Sequence, residues 1–266
     1  MLIRLTSCKS SCLKPIYQSK FQPLLKMDTK LPKRAIKAFL FVLLGAVSSS
    51  FHISEQQGFV YTIVNLQEQN LALFWKGKDN KVLGNFEALE KALKADHQQL
   101  LFAMNAGMYT QDQTPLGLYI EKGKELHPLN TQTGSGNFYL KPNGVFSIDK
   151  RKEAKLCSTD QFIADKDVYF ATQSGPMLLV NGQFHPAFKE GSTNLNIRNG
   201  VGLINKHKVV LAMSKEAVNF YDFARFFKAM GCKNALYLDG FVSRTYYPKE
   251  KWIQKDGAFG VMLGVY

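Results

Sequence analysis

From Phe59 onward the chain alternates short apolar runs with breaks rich in glycine, proline and asparagine. Phe59–Leu66 (FVYTIVNL) and Leu71–Trp75 (LALFW) are dense in β-branched and aromatic residues and predict strands. Asn85–His97 switches to a helical period. Phe86, Leu89 and Leu93 fall on one face, Glu87, Glu90, Lys91 and Lys94 on the other, and Asn85 is placed to cap it. Leu100–Met104 returns to strand. Pro115–Leu126 predicts a hairpin with Lys122-Gly123 at its tip. Asn137–Leu140 and Val145–Ile148 predict two strands around the turn Lys141-Pro142-Asn143-Gly144. Val168–Thr172 follows, then Met177–Val180 and Gln183–His185 across Asn181-Gly182, a strong hairpin signal. Arg198–Ile204 and Lys208–Met213 form a further hairpin. Ala217–Met230 is a second helix, with Val218, Tyr221, Phe226 and Met230 near one face and Gly231 as its stop. Ala235–Leu238 and Phe259–Tyr266 complete the strands. Many hairpins with two helices predict an α+β fold around a mixed, mainly antiparallel sheet, in one domain over residues 51–266.

Four strand breaks each pair a polar side chain with glycine: Asn105 with Gly107, Ser174 with Gly175, Arg198 with Gly200, and Asp239 with Gly240 and Ser243. The last stretch, Gly231–Arg244 (GCKNALYLDGFVSR), organises the rest. A buried strand ends abruptly at Asp239, and an aspartate buried without partners is costly, so its carboxylate is expected to emerge into a cleft. Glycine permits a positive φ or the close approach of a ligand. Each break alone is more often a solvated turn than a site. Four in one domain point to a shared cleft.

Composition narrows the classes. The 266 residues are 45% hydrophobic and 12% aromatic, enough for a substantial core, which excludes global disorder. The net charge is +13, yet the first fifty residues hold nine Lys or Arg and one acid, so +8 belongs to them and +5 to the remainder. No Lys/Arg run or nucleic-acid motif follows, and a nucleic-acid partner is not expected.

Within those fifty residues Ala38–Val47 (AFLFVLLGAV) is apolar, Lys30, Lys33, Arg34 and Lys37 precede it, and Ser48, Ser49 and Ser50 follow. That is the layout of a secretory signal. The run is shorter than the roughly 20 residues a spanning helix needs. The expected location is therefore periplasmic or extracellular, and membrane contact runs only through residues 38–47. An uncleaved anchor or a buried helix are the alternatives. Met27 opens a conventional signal, MDTKLPKRAIKAFLFVLLGAVSSS, and is the expected translation start, residues 1–26 being extra.

Cys157 and Cys232 are the cysteines of the domain. A bridge between them would stabilise the fold by about 4 kcal/mol; two separate thiols are the equal alternative. His127 and His185, each before a proline, are possible ligands or strand-end residues, and the histidine spacing predicts no zinc and no cofactor. A divalent cation held by carboxylates stays open. Asp222 reads as a solvated or capping carboxylate.

The order Asn105-Ala106-Gly107-Met108-Tyr109, Gln173-Ser174-Gly175-Pro176, Arg198-Asn199-Gly200-Val201-Gly202 and Leu238-Asp239-Gly240 with Ser243 resembles the phosphodiester glycosidase domain, over roughly Tyr61 to Tyr266. Two departures stand out. The family's Asn-Gly-Gly-aromatic is here Asn105-Ala106-Gly107-Met108, and its Asp-Gly-Gly-x-Ser is Asp239-Gly240-Phe241-Val242-Ser243. Ala106 and Phe241 are expected to crowd the cleft and alter substrate preference.

The resemblance implies hydrolysis of a sugar-1-phosphodiester at the anomeric carbon, with free sugar released. It gives Arg198 the phosphate, Asp239 the role of base or of the carboxylate that offsets oxocarbenium charge, and Asn105, Ser174 and Ser243 the sugar hydroxyls. Gly107, Gly175, Gly200 and Gly240 would admit the substrate. Arg198 bracing a turn, by pairing with Asp239, is the competing reading. The alternative functions are an envelope protein that binds glycans or anionic polymers without turnover, and a phosphodiesterase that cleaves at phosphorus.

Overall fold

The computed structural model describes residues 57–239 and 242–266, all within the compact unit Ser49–Tyr266. The expectations for the apolar run at 38–47 and the Met27 start lie outside the described residues, as do Gly240 and Phe241.

Three sheets carry the fold, and every ladder between their strands is antiparallel. The first orders β1 (Phe59–Asn65), β12 (Lys208–Ser214), β11 (Asn199–Asn205), β13 (Asn234–Asp239), β9 (Met177–Val180) and β10 (Gln183–Phe184). The second orders β15 (Trp252–Ile253), β14 (Thr245–Tyr247), β3 (Phe102–Asn105), β16 (Met262–Val265) and β2 (Leu71–Phe74). The third orders β5 (Lys124–His127), β4 (Tyr119–Glu121), β8 (Val168–Ser174), β6 (Gly144–Asp149) and β7 (Ala154–Ser158). The α+β class holds, and the strands divide among three sheets where one was expected.

The sheets share one core. Leu236 and Leu238 of β13, Val201 of β11, Met104 of β3, Leu263 of β16 and Phe146 of β6 meet in it. Alternation along β13 sends Ala235 and Tyr237 the other way, against helix α2 (Phe220–Ala229). The buried face of α2 is Phe220, Phe223, Ala224, Phe226 and Phe227; of the expected face Phe226 lies on it, while Val218, Tyr221 and Met230 are half-buried. The reason lies in the sheet. A Cβ on Gly202 would stand 2.5 Å from the ring of Phe227, and one on Gly200 3.1 Å from the ring of Phe223. The two bare positions of β11 are the floor on which those rings rest. Helix α1 (Phe86–Ala95) lays Phe86, Leu89 and Leu93 on the second sheet beside Ala103, Met262 and Phe259.

Asn85 caps α1 as expected, and Asn219, which had no such expectation, caps α2. Asn85 Oδ1 accepts from Ala88 N at 2.8 Å, and Asn219 Oδ1 accepts from Asp222 N at 2.8 Å while its Nδ2 donates to Asp222 Oδ2; each cap is worth about 1 kcal/mol. Gly231 closes α2 at φ 82°. Asn137–Tyr139 is a single 3-10 turn and not a strand, with Phe138 buried at its centre. Cys157 and Cys232 are separate, buried thiols, which settles the bridge question against a disulfide.

Candidate active site where three sheets meet

Each sheet sends a strand end to one place. β3 ends at Asn105, β8 at Ser174 and β13 at Asp239, while β11 begins at Asn199, paired with Asp239 in the ladder. Ser174 Oγ donates to Leu238 O at 2.7 Å and ties the third sheet to the first. Asn105 Nδ2 donates to Asp239 Oδ2 at 3.2 Å and ties the second to the first. Ser243 Oγ donates to Asp239 O at 2.6 Å and lies 3.2 Å from Ile197 O, fastening the chain after β13 to the chain before β11. Asn105, Ser174, Asp239 and Ser243 thus converge, across more than 130 residues of sequence between Asn105 and Asp239.

Asn199, which sequence reasoning assigned no role, sits inside this network. Its Nδ2 donates to Asn105 Oδ1 at 2.9 Å and to Asn105 O at 2.7 Å, and its Oδ1 accepts from Asp239 N at 2.8 Å. Arg244 N donates to the same Asn105 Oδ1 at 2.9 Å. The Arg244 guanidinium turns away to Asp256.

Arg198 precedes β11 and is 0% exposed. Its backbone N donates to Ser214 Oγ, its Nε to Val218 O at 2.8 Å, and its Nη2 to Asn194 O at 2.9 Å and Asn194 Oδ1 at 3.2 Å. The guanidinium lies 3.6 Å from the centre of the Phe220 ring and 5.5 Å from that of Tyr237. Arg198 therefore braces the 194–198 turn, and does so with neutral carbonyls. Its Nη1 has no hydrogen-bond partner among the described residues, an unusual state for a buried cationic donor. The wall that holds it faces a cavity of about 500 Å³ lined by Asn137, Phe188, Ser192, Asn194, Phe220 and Tyr221, among others.

Two tyrosines, neither given a role from sequence, report on the electrostatics. Burial raises the Tyr237 phenol far above its ordinary range; Arg198 offsets part of that shift and Asp239 adds to it. Burial pushes Tyr109 up to about 12, and Asp239 adds to the shift. Both phenols stay protonated at neutral pH, so both act there as neutral donors beside a carboxylate. Burial also pulls the Arg198 guanidinium below its usual value, with Tyr237 partly compensating; it remains cationic at any working pH.

The glycines do something else than expected. A Cβ on Gly107 would stand 2.2 Å from Thr172 Oγ1 and 2.7 Å from Gln173 O; one on Gly175 would stand 2.6 Å from Asn143 Cβ and 2.8 Å from Phe138 O; Gly200 faces Leu236 O and the rings of α2. Each bare position is filled by protein. Ala106 is likewise buried in the shared core, so its methyl does not crowd the cleft, contrary to expectation. Gly240 lies outside the described residues. His127 Nδ1 lies 2.9 Å from Gly117 O and His185 Nε2 3.0 Å from Lys141 O, which makes both strand-end side chains. Among the described residues no three His, Cys, Asp or Glu side chains converge.

Residues 98–265 match the phosphodiester glycosidase family model, more than half of the chain. The chain belongs to the phosphodiester glycosidase family. Its span holds Asn105, Ser174, Asn199, Asp239 and Ser243, the residues joined above. Over 185 residues, 69% of this chain and 72% of the relative, it is 40% identical to the uncharacterized protein YigE of Escherichia coli K12. Among solved structures it is similar to the catalytic domain of zebrafish N-acetylglucosamine-1-phosphodiester alpha-N-acetylglucosaminidase, auto-inhibited by its pro-peptide. The TM-score is 0.54 at 16% identity, over 79% of this chain and 83% of that one, a likeness of fold. Family membership fits a hydrolase role.

Proposed function

We infer that the chain hydrolyses a sugar-1-phosphodiester at the anomeric carbon, releasing free sugar and a phosphate monoester. The observation that carries this reading is Nη1 of Arg198: a buried cationic nitrogen that makes no hydrogen bond of ordinary geometry among the described residues, beside the Tyr237 phenol and the cluster that holds Asp239. A phosphate oxygen is the natural acceptor for it, and a charge-assisted bond in a dry site is among the strongest available. In the reaction, water oxygen bonds to the anomeric carbon as the bond from that carbon to the phosphate oxygen breaks. The electron pair leaves with the phosphate, whose charge Arg198 offsets. Phosphate leaves well without protonation, so the reading requires no second carboxylate. Asp239, oriented by Asn105, receives the proton of water or faces the positive charge that builds on the sugar. Tyr109 and the buried Tyr237 remain neutral phenols near Asp239. No cofactor is required. The basic-then-apolar pattern at 30–47 supports an exported protein that meets such substrates outside the cytoplasm.

Hydrolysis of a sugar-1-phosphodiester in ¹⁸O-water tests the reading. The label is expected in the free sugar. Label in phosphate would place attack at phosphorus, and saturable binding without turnover would make the chain a glycan-binding protein.

A further inference from the structure

We propose that Asn199 is a positioning residue, which fixes the side-chain amide of Asn105 so that it donates to Asp239. Two backbone groups here, Asp239 N–H and Arg244 N–H, can only donate. Asp239 N–H points at the Asn199 side chain, so the atom it meets at 2.8 Å must be Oδ1. The Asn199 Nδ2 then faces Asn105, meeting its Oδ1 at 2.9 Å and its backbone O at 2.7 Å. Arg244 N–H meets that same Oδ1 at 2.9 Å. With Oδ1 held from two sides, Asn105 has one orientation, and its Nδ2 turns to Asp239 Oδ2 at 3.2 Å. A flipped Asn105 would turn its oxygen lone pairs to a carboxylate and its amide hydrogens to two donors, Asn199 Nδ2 and Arg244 N. Asn105 and Asn199 are fully buried and Asp239 is 9% exposed, so water does not substitute readily for a lost partner.

The arrangement is a relay with polarity: backbone amide, Asn199, Asn105, carboxylate. It closes across two sheets, since Asn105 ends β3 and Asn199 begins β11. Asn199 meets Asp239 at its backbone amide and reaches the carboxylate through Asn105. Two titratable groups that act on Asp239 besides are Tyr237, on its own strand, and Tyr109, on the chain after β3. Both hold their protons through the neutral range, so neither confounds a titration of the carboxyl there.

The catalytic consequence rests on the hydrolase reading, but the test does not. Asn199→Ala, Asn105→Ala and the double variant are titrated by ¹³C NMR at the Asp239 carboxyl, with Asn85→Ala, a lost helix cap elsewhere, as control. Asn199→Ala is expected to move the Asp239 titration upward, because a donor to its charged form is loosened. In the Asn105→Ala background the same substitution is expected to move it little further, as for two members of one chain. Asn85→Ala is expected to leave it unmoved. Should Asn199→Ala fail to fold, Asn199→Ser, which keeps a short donor, is expected to give a smaller upward shift. In turnover, kcat is expected to fall about tenfold with KM nearly unchanged, since a positioning loss is felt in the transition state. An unmoved titration in Asn199→Ala, or shifts that simply add in the double variant, would overturn the proposal. If the wild type turns over no sugar phosphodiester, the hydrolase reading fails while the NMR result still decides the relay.

Discussion

Arg198 and Phe220 are stacked, guanidinium over ring at 3.6 Å, at the point where β11 begins beneath the first turn of α2. The stack flattens the fork against an apolar wall, Nε and Nη2 are spent on Val218 O and Asn194, and one donor is left over. A lysine there has the charge but neither the plane nor the reach to hold two carbonyls and a ligand. Arg198→Lys is expected to lower kcat/KM on a sugar-1-phosphodiester by about 10²-fold and to lower unfolding stability by about 2 kcal/mol. Steady-state kinetics and urea unfolding measure the two separately. Full hydrolysis by Arg198→Lys would leave the guanidinium with its structural duty alone.

Gly107 marks how closely the chain after β3 approaches β8. The Cβ of an alanine would overlap Thr172 Oγ1 and the carbonyl of Gln173, and the carbonyl belongs to a ladder strand that does not yield cheaply. Gly107→Ala is expected to destabilise by about 2 kcal/mol. Thr172→Ala added to it is expected to restore only part of the loss, since it removes the hydroxyl and leaves the carbonyl. Complete recovery of the midpoint in the double variant would contradict this account.

Gln173 pins the segment around Asn130 over the third sheet. Its Oε1 accepts from Leu118 N at 3.0 Å and Asn130 N at 2.9 Å, and its Nε2 donates to Asn130 O at 2.7 Å and Thr159 Oγ1 at 3.2 Å, so the amide is fully paired. Gln173→Ala is expected to cost about 3 kcal/mol, most of it from backbone groups left without partners. Hydrogen exchange localises the effect: the Leu118 and Asn130 amides are expected to lose protection while those of β12 keep theirs.

Local chemistry made much of this fold readable in the sequence. Lys122-Gly123 and Asn181-Gly182 are hairpin tips with positive φ, Asn85 caps its helix, and Gly231 ends the other. Those outcomes depend on a few adjacent residues. Asn137–Leu140 read as strand because its residues are apolar and aromatic, yet the tight turn buries Phe138 and the run joins no ladder among the described residues. The inward face of α2 was legible only from its partner, since Gly200 and Gly202 decide which rings find room. The site divides in the same way. Asn105, Ser174 and Asp239 close strands and Ser243 lies in the break after one, and abrupt polar breaks announce such places. Asn199 opens β11 and Tyr237 lies inside β13, and their part depends on the register of β11 against β13, which includes a shift between Asn199 and Gly200. No one-dimensional pattern carries a register. Nor could the sequence distinguish a glycine that admits a ligand from one, such as Gly107, that admits a neighbouring strand.

Tyr119 donates through its hydroxyl to Glu121 Oε2 at 2.6 Å on β4, under the T-shaped contact between Tyr119 and Trp75. Burial raises the Glu121 carboxyl above its ordinary value, and the Tyr119 hydrogen bond and Lys122 compensate only in part. A carboxyl whose folded value is raised contributes its stability below the unfolded value and loses it as pH rises through the folded one, because the unfolded chain then releases the proton more readily. At neutral pH the ionised Glu121 is therefore a cost that the fold carries. Glu121→Gln keeps an acceptor for Tyr119 and removes the charge. It is expected to be near neutral at about pH 3.5, where both forms lack the charge, and to gain in relative stability as pH rises to 8. Urea unfolding of both proteins across that range checks the sign. A variant that loses ground as pH rises would mean that Glu121 is held in its charged form by something stronger than its burial.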